Sequence, residues 1–461
     1  MDSFDFISPL DYRYIGRDKD FMKVAGYFSE NTRIRYQAMV ELALIKALAK
    51  RGICSQKIVD EVSEAVKEVK AEEVYLEEDK TKHDVKALVN VIRSRVSDAS
   101  KPFIHLTATS YDIVDTANVL RFKEGTLNLL IPALKELEKT LIGLALREKQ
   151  TIQIGRTHGQ HAEPITFGFF LAGYASRLGQ RIKEIEAKAN SLKGKFSGAV
   201  GCYNAQSLFF DDSIDFEKEV LLELGLEPSP SSTQIVEPEQ LADLCHAVVS
   251  CFGVLANLSD DLRHLQRSEI SEVAEAFEAN QVGSSTMPHK RNPINFENVK
   301  SFYKQFMPRM INVYLDQISE HQRDLTNSAS QRFLPELFAG LYSSVKRLNK
   351  TISKLVVDKE SMQENFNEAA KNIIAEPLYI LFAFKGHHAN AHEFVKQLTL
   401  KAEKEGKPLM QAIQENAEAS RLLEMLDARQ KEIALNPEKY IGKAVEKTES
   451  ICIHWKKELG L

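Results

Sequence analysis

The chain has 461 residues, of which 60 are Lys or Arg and 65 are Asp or Glu, so its formal net charge is −5. With 43% apolar and 27% charged residues, the composition is typical of a soluble globular protein and argues against nonspecific nucleic-acid binding through bulk charge. The length predicts about three domains and is enough to bury a large core without disulfides or a structural metal.

The cysteines are few and widely spaced. None of the five forms a Cys-x-x-Cys pair, which argues against a zinc ribbon and against a disulfide framework. The acidic N-terminus has no signal-type apolar segment, and no run of 18 apolar residues occurs. We therefore expect a cytoplasmic protein with free thiols, no membrane span and no nucleic-acid partner.

Helical periodicity dominates the chain. Residues 1–111 predict short helices broken by charged loops, and residues 357–461 predict shorter helices with charged faces. Between them, apolar residues recur at steps of three and four, the period of an amphipathic helix. We predict long helices over about 112–149, 164–192, 238–265, 294–323 and 335–356.

The predicted fold is all-α, with a long central helical bundle. Strand-type alternation is nearly absent, and a helix of about 38 residues extends roughly 57 Å. Pro132 should kink the first long helix, because proline removes a backbone donor and clashes with the preceding turn. The apolar stripes are richer than one five-helix core requires, so we expect bundle faces to pair between subunits.

The most informative segment is the loop GSSTMPHKRNP, residues 283–293. A loop before a helix N-terminus offers unpaired backbone donors and the positive end of the helix dipole, and Lys290 and Arg291 add charge. The segment therefore suits a carboxylate or a phosphate. The alternative is a polar loop that only caps the helix.

Two pairs of histidines have spacings that also occur in metal sites. They are His158 with His161, in a glycine-rich segment that we interpret as a loop, and His388 with His392 on a probable helix. The loop around the first pair gives no ligand geometry, and the second pair has no evident third ligand and fits a solvated helical face. We predict no metal and no cofactor.

Four blocks, in order along the chain, resemble the fumarase/aspartase superfamily, whose lyases release fumarate from succinyl-type substrates. They are KHDV (82–85), HLTATSYD (105–112), GRTHGQHAEP (155–164) and the 283–293 loop. Within that superfamily the chain is most similar to the lyases that act on adenylosuccinate. The residues that carry this similarity are MPHKRNP (287–293), SPLDYRY (8–14) and RDLTNS (323–328).

The resemblance implies a three-domain, all-α lyase whose long central bundle assembles into a homotetramer core with shared active sites. Its domains would be an N-terminal helical domain (1–111), a central bundle (112–356) and a C-terminal helical domain (357–461). It implies β-elimination of fumarate from adenylosuccinate, giving AMP, and from SAICAR, giving AICAR. The first alternative is another member of the superfamily, such as 3-carboxymuconate cycloisomerase, which shares the His-Lys-Arg loop. The second alternative is a non-catalytic helical scaffold.

The resemblance also assigns roles in catalysis. Ser284 would be the general base and His158 the general acid that protonates the leaving nitrogen. Ser285 would be a loop donor and Glu297 would orient His158. His161 would lie behind the residues that contact the substrate. A serine is a weak base, so Lys290 and the loop amides would have to stabilise its alkoxide.

Substrate-binding roles are implied for a larger set. Those expected to hold the nucleotide phosphate are Arg13, Tyr14, Arg323, Ser328 and Arg332. The other substrate ligands are Lys82, His83, Asp84, His105, Thr109, Ser110, Gln234, Lys290 and Asn292. Plainer alternatives are a surface ion pair for Arg13 and Arg332, packing for Tyr14, a structural role for His105 and a helix cap for Gln234.

Overall fold

The structure is a computed structural model that describes residues 7–16, 19–277, 286–287, 289–386 and 390–461. The chain divides into two compact units. Unit 1 comprises residues 1–135, 180–255 and 301–346, and unit 2 comprises residues 136–179, 256–300 and 347–461. The three-domain division remains a prediction, whereas the all-α class is confirmed because helices make up most of the described chain.

Short helices fill the first part of unit 1, as the sequence predicts. A π-helical turn, Leu10–Tyr14, precedes them, and a 3₁₀ turn, Lys101–Phe103, follows them. The helices are α1 Phe21–Phe28, α2 Glu30–Lys50, α3 Gln56–Lys67, α4 Ala71–Thr81 and α5 Asp84–Arg93.

The central part of the chain contains the longest helices. They and their neighbours are α6 Ser110–Gly125, α7 Ile131–Arg147, α8 Phe167–Asn190, α9 Ser213–Leu222, α10 Glu239–Leu265, α11 Ile294–Phe306, α12 Arg309–Leu315, α13 Ser328–Phe333 and α14 Pro335–Ile352. A π-helical segment, Thr126–Leu130, interrupts the first predicted helix just before Pro132, where a proline strains regular α-helical hydrogen bonding.

Two of the predicted helices are wrong in extent. The helix predicted from 164 begins at Phe167, because Pro164 lies in a strand. The helix predicted over 294–323 divides at Pro308 into α11 and α12, and turns and irregular backbone follow α12 up to residue 327. Proline accounts for the division because it cannot donate to the helical ladder.

Strands are few, but one pair falls where the sequence predicts only a loop. β1, Ile152–Thr157, pairs antiparallel with β2, Gln160–Thr166, and the ladder shifts register between Ile154 and Arg156. The short strands β3, Val273–Ala274, and β4, Val356–Val357, form a second antiparallel pair. The segment that contains His158 is therefore a β-hairpin and not the glycine-rich loop that the sequence predicts.

The last part of unit 2 is a series of helices, and those between residues 375 and 435 share a core of their own. They are α15 Lys359–Ile373, α16 Ala375–Phe384, α17 Ala391–Lys404, α18 Leu409–Glu415, α19 Ala417–Glu424, α20 Ala428–Leu435 and α21 Ala444–Leu459. Leu378, Phe382 and Ile413 lie at the centre of this core. A smaller cluster packs Ile154 of β1 against Phe366 of α15 and so holds the hairpin on unit 2.

Unit 1 has an aromatic core. The rings of Phe122 and Phe338 lie 4.9 Å apart and Phe28 packs on both.

The helix α10 is long and apolar enough to cross a membrane by length and composition alone, but 61% of its apolar window is buried inside the structure, as expected for a core helix.

Candidate active site

Unit 1 carries a strained loop that leads into α6. His105 and Thr107 both have left-handed backbones, with φ of 65° and 67°, a region that is costly for residues other than glycine. Fully buried Glu41 on α2 holds this loop. One carboxylate oxygen of Glu41 lies 2.7 Å from Nδ1 of His105, and the other accepts the His105 backbone N–H at 3.0 Å. The imidazole is thereby fixed, with Nε2 on its far side.

The same contact raises the pKa of the histidine. Burial lowers the pKa of His105, but the charge of Glu41 and the hydrogen bond to it outweigh burial and leave the pKa above its ordinary value. A protonated imidazole presents Nε2–H as a donor, which suits an anionic group of a substrate.

Buried Asp112 joins the next block of the site to a second loop. One of its carboxylate oxygens accepts the backbone N–H of Thr109 at 2.9 Å and so caps the start of α6. The other oxygen accepts the Lys195 ammonium and the Gly198 N–H. Lys195 and Asp112 are both fully buried, so this ion pair fixes Thr109 and Ser110 against the loop at 194–198.

His83 and Ser110 come together, as the resemblance implies. His83 is the N-cap of α5, where its Nδ1 accepts the Lys86 backbone N–H at 3.3 Å. A neutral His83 therefore carries its proton on Nε2, which lies 3.5 Å from the Ser110 hydroxyl. Asp84 follows His83 in the first turn of α5, and Lys82 precedes it in a left-handed C-cap of α4.

A second group in unit 1 surrounds Arg323. Its Nη1 donates to Oε1 of Gln234 at 3.1 Å, and its guanidinium carbon lies 3.2 Å from the ring centre of Tyr111. The backbone N–H of Gln234 donates to the carbonyl of Gln322. Nε and Nη2 of Arg323 are buried, and neither has a hydrogen-bond partner among the described residues. An anion placed there would satisfy both donors.

The residue that sequence reasoning missed in this group is Tyr111. Burial raises its pKa, and the charges of Arg323 and Arg332 act in the opposite direction. Asp84 also acts on the Tyr111 hydroxyl, so these blocks converge around it. Its position directly after Ser110 in the HLTATSYD block was the available signal.

The other predicted phosphate ligands make no hydrogen bond to Arg323 among the described residues. Ser328 begins α13, and Arg332, one turn later, is exposed and donates to the Ser328 carbonyl at 3.4 Å. Arg13 is exposed in the first π-helical turn, and the Tyr14 ring packs edge-on against Phe302 with centroids 4.5 Å apart. Among the described residues, no hydrogen bond, ion pair or ring contact joins Arg13 or Tyr14 to Arg323.

In unit 2, His158 stands at the tip of the β1–β2 hairpin. His158 and Gly159 have φ of 53° and 75° and connect the paired residues Thr157 and Gln160, which is the geometry of a two-residue primed turn. His158 is exposed. A side chain carried on such a turn projects from two paired strands, so its position depends on how firmly the hairpin is held.

Buried Glu272 anchors the hairpin. One of its oxygens accepts Nη2 of Arg156 at 2.7 Å and the other accepts Nε2 of Gln153 at 2.7 Å. Nδ2 of Asn365, on α15, donates to the first oxygen at 3.0 Å. Glu272 therefore ties both hairpin residues to the body of unit 2, although nothing in its local sequence signals that role.

Glu163 on β2 forms a carboxyl pair with Glu376 on α16. The hydrogen bond to Glu376 on α16 is the largest cause that raises the pKa of Glu163 to about 7, followed by burial and the charge of Glu376. The Tyr440 hydroxyl donates to Glu376 at 3.1 Å. Burial and the charge of Arg156 lower the pKa of nearby His161.

The predicted base, Ser284, and Ser285 lie outside the described residues. Of the signature loop, residues 286–287 and 289–293 are described: His289 and Lys290 are exposed, and the Lys290 N–H donates to the Met287 carbonyl at 3.0 Å. Asn292 accepts the Ile294 N–H through its backbone carbonyl. Glu297 lies on the exposed side of the first turn of α11, and among the described residues no hydrogen bond joins it to His158.

One expectation about this loop is wrong. The N-terminus of α11 was expected to offer unpaired backbone donors, yet the N–H groups of Asn295 and Phe296 both donate to one oxygen of Glu275 at 2.9 Å. Its other oxygen accepts Nδ2 of Asn295 at 2.6 Å. Glu275 thus caps the helix, and anion binding at the loop would depend on Lys290 and Arg291.

Metal ligands are not clustered in the part of the chain that the structure describes, where no group of three or more His, Cys, Asp or Glu has suitable geometry. His388 lies outside that part.

The structure describes two sets of site residues, each within its own unit. Unit 1 contains His83, His105, Thr109, Ser110, Gln234 and Arg323, and unit 2 contains His158, Lys290, Asn292 and Glu297.

Comparison with known proteins identifies the class. A family model described as "Lyase" matches residues 14–307, and a model described as "Adenylosuccinate lyase C-terminal" matches residues 319–441. Among solved structures, a fumarate lyase from Mesorhizobium has a TM-score of 0.82 at 23% identity, covering 94% of this chain and 97% of that one. A 3-carboxy-cis,cis-muconate lactonizing enzyme from Pseudomonas putida also has a TM-score of 0.82 at 23% identity, with 95% and 97% covered. These two establish the fold, and the chain is a member of the lyase family.

The curated relatives narrow the family. Adenylosuccinate lyase from Pyrococcus abyssi is 38% identical over 96% of this chain and 97% of the relative. Those from Pyrococcus horikoshii and Archaeoglobus fulgidus are 37% and 32% identical, covering 95% and 98% of this chain and 96% and 99% of the relatives. The chain belongs to the adenylosuccinate lyase family and is therefore an enzyme, a carbon–nitrogen lyase.

Proposed function

We propose that the chain eliminates fumarate from adenylosuccinate, giving AMP, and from SAICAR, giving AICAR, in purine nucleotide biosynthesis. Membership of the adenylosuccinate lyase family carries the reaction class. The observation in the structure that favours a nucleotide substrate is Arg323, whose buried Nε and Nη2 lack hydrogen-bond partners among the described residues. Buried donors of this kind are costly when they stay unsatisfied, and phosphate or carboxylate oxygens match the planar guanidinium.

The reaction needs three groups. A base must remove a proton from the carbon next to a substrate carboxylate, cationic donors must stabilise the charge that develops there, and an acid must protonate the leaving nitrogen. We assign these roles to Ser284, Lys290 and His158 respectively. The electron pair of the broken C–H bond forms the new C=C bond, the C–N bond breaks, and the leaving nitrogen takes its proton from His158.

Binding and orientation would come from unit 1. His83, Ser110 and Thr109 lie at the starts of α5 and α6, and the Asp112–Lys195 pair holds the second of these helix starts in place. His105, whose pKa is raised by Glu41, would supply a donor for an anionic group when protonated. Arg323 with Gln234 supplies the phosphate site, and Ser328 and Arg332 extend it along α13.

We further propose a homotetramer with shared active sites. The apolar side chains of Ile311 and Leu315 on α12, and of Ile318 beyond it, are largely exposed, at 61%, 59% and 74%. Contiguous apolar residues on a surface favour a protein interface.

A cytoplasmic location is proposed as well, since all five cysteines are free thiols, which suits a reducing compartment.

The direct test offers the purified chain different substrates in parallel. Adenylosuccinate and SAICAR should each release fumarate, whereas 3-carboxymuconate should remain unchanged. Turnover of 3-carboxymuconate without fumarate release from either nucleotide would instead identify the alternative, a cycloisomerase.

A further inference from the structure

Unit 1 contains a pocket, partly open to solvent, that none of the proposed active-site residues lines. Its walls come from α6, from the chain segment that leads into α10, and from α12 and α13. Two of its lining residues are neighbours of that site in the chain: Ile235 follows Gln234, and Asn327 precedes Ser328. The pocket therefore lies behind the Arg323 group without being part of it.

Most of the wall is apolar. Phe122 and Val119 on α6, Leu241 on α10, Val313 on α12 and Leu334 are among the residues that form it. A wall of this kind excludes water from its surface and favours an occupant with a hydrocarbon body.

The charged residues of the wall are all acidic. They are Asp115, Glu237 and Asp316, and no Lys, Arg or His is among the lining residues. Oδ2 of Asp115 accepts the Val236 N–H at 2.9 Å. Burial nevertheless raises the pKa of Asp115 to about 6, against the lowering effect of that hydrogen bond and of the Lys195 and Arg323 charges. Burial is therefore the dominant influence on this carboxylate.

An unsatisfied acceptor completes the polar part of the pocket. The Asn327 residue is 9% exposed, and its Oδ1 is buried with no hydrogen-bond partner among the described residues. Its side chain is not used to cap α13. A buried amide oxygen without a donor is uncommon in folded proteins, because it loses its water and gains nothing in return.

We propose that this pocket binds a small organic ammonium, a molecule with an aliphatic body and one protonated amine. An ammonium carries three donors and no acceptor, which matches a lining that offers the Asp115 carboxylate and the Asn327 amide oxygen. The apolar wall takes up the hydrocarbon body, and the acidic residues exclude anions. This site is separate from the nucleotide site and does not depend on the proposed reaction.

The probes are cyclohexylammonium and its neutral counterpart cyclohexanol, titrated into the full-length chain by calorimetry. The wild-type chain should bind cyclohexylammonium saturably, one molecule per chain, and cyclohexanol about tenfold or more weakly, because hydrogen bonds to charged groups are the stronger ones. Asp115→Asn should weaken the ammonium by a similar factor. Val313→Trp, which fills the pocket, should abolish its binding.

The matched control is Asp243→Asn, which removes one acidic charge from α10 beside the lining residue Ala242; Asp243 pairs with Lys188 and does not line the pocket. Its affinity for cyclohexylammonium should match that of the wild type. Absence of saturable binding, equal binding of cyclohexanol, or equal losses in the Asp115 and Asp243 variants would each overturn the proposal. The comparison of the two probes on the wild-type chain holds even if a variant fails to fold, and none of these readouts needs lyase activity.

Discussion

Glu41 binds His105 through both of its carboxylate oxygens, one at the ring nitrogen Nδ1 and one at the backbone N–H. The two residues are 64 positions apart, and the contact holds a histidine whose backbone is left-handed. The same carboxylate therefore holds the conformation of the loop and raises the pKa of the ring.

Glu41→Gln should lower the pKa of His105, because it removes the charge that raises it. The expected fall is about one unit or more, measured from the imidazole resonances in a pH titration by NMR. The raised pKa also makes the stability of the wild type depend on pH. The Glu41–His105 pair contributes fully to stability below the unfolded-state pKa of about 6.5, and this contribution is lost as the pH rises through the folded-state pKa.

The control is Glu124→Gln, which removes the contact with Tyr36 and should leave the His105 pKa unchanged. An unchanged His105 pKa in Glu41→Gln would contradict this account.

Ser284→Ala should abolish turnover while leaving substrate binding nearly intact. Losing a general base costs about 10²–10⁴-fold in rate, so a variant that keeps more than about a tenth of the rate would place the base elsewhere. Ser285→Ala is the matched control from the adjacent position, and its effect on steady-state kcat should be milder.

Arg332→Ala should raise KM for phosphorylated substrate more than it lowers kcat, because the phosphate is remote from the reacting bond. The internal control is the nucleoside form of the substrate, which lacks the phosphate. If the variant weakens the nucleoside and the nucleotide equally, Arg332 does not hold the phosphate.

Glu272→Ala should destabilise unit 2, because it leaves the Arg156 guanidinium half-buried without its carboxylate. Breaking a buried pair by removing one partner costs about 3–5 kcal/mol of the free energy of unfolding, measured by urea denaturation. The control is Lys67→Ala, which breaks an exposed pair with Glu64 and should cost no more than about 1 kcal/mol. Equal effects of the two variants would rule out Glu272 as the anchor.

Glu163 predicts a pH dependence of stability. Its folded-state pKa is raised to about 7 by the hydrogen bond to Glu376, so the folded state retains a proton that the unfolded chain releases near its ordinary value of about 4.5. Stability should therefore fall as the pH rises from about 4.5 to 7. Glu163→Gln should flatten this decline in Tm, whereas Glu403→Gln on the exposed side of α17 should leave it as in the wild type.

The sequence predicts the helical elements better than the contacts that hold the site. Periodicity locates α10 and α14 closely, because an apolar stripe at helical spacing is a local property of the chain. It misplaces the start of α8, because Pro164 was interpreted as opening a helix and lies in β2. The hairpin around His158 was missed for a related reason: the glycines at 155 and 159 made a strand–turn–strand segment resemble a loop.

The supporting carboxylates could not be predicted at all. Glu41 and Glu272 stand in segments where a glutamate ordinarily faces water, and their partners lie 64 and more than 90 residues away. Burial of such residues follows only from tertiary packing. The blocks that contain His83, Ser110 and Arg323 were found because each is a compact local motif, and Tyr111 was missed although it lies within one of them.

The most direct test of the account measures both products of one reaction. The purified chain is incubated with adenylosuccinate, and fumarate and AMP are quantified over time beside His158→Ala and Ser284→Ala. We expect equimolar fumarate and AMP from the wild type, little from either variant alone, and recovered activity when the two variants are dissociated and reassembled together. Absence of fumarate from the wild type, or fumarate without AMP, would contradict the assignment, and no recovery after confirmed subunit exchange would contradict the shared site.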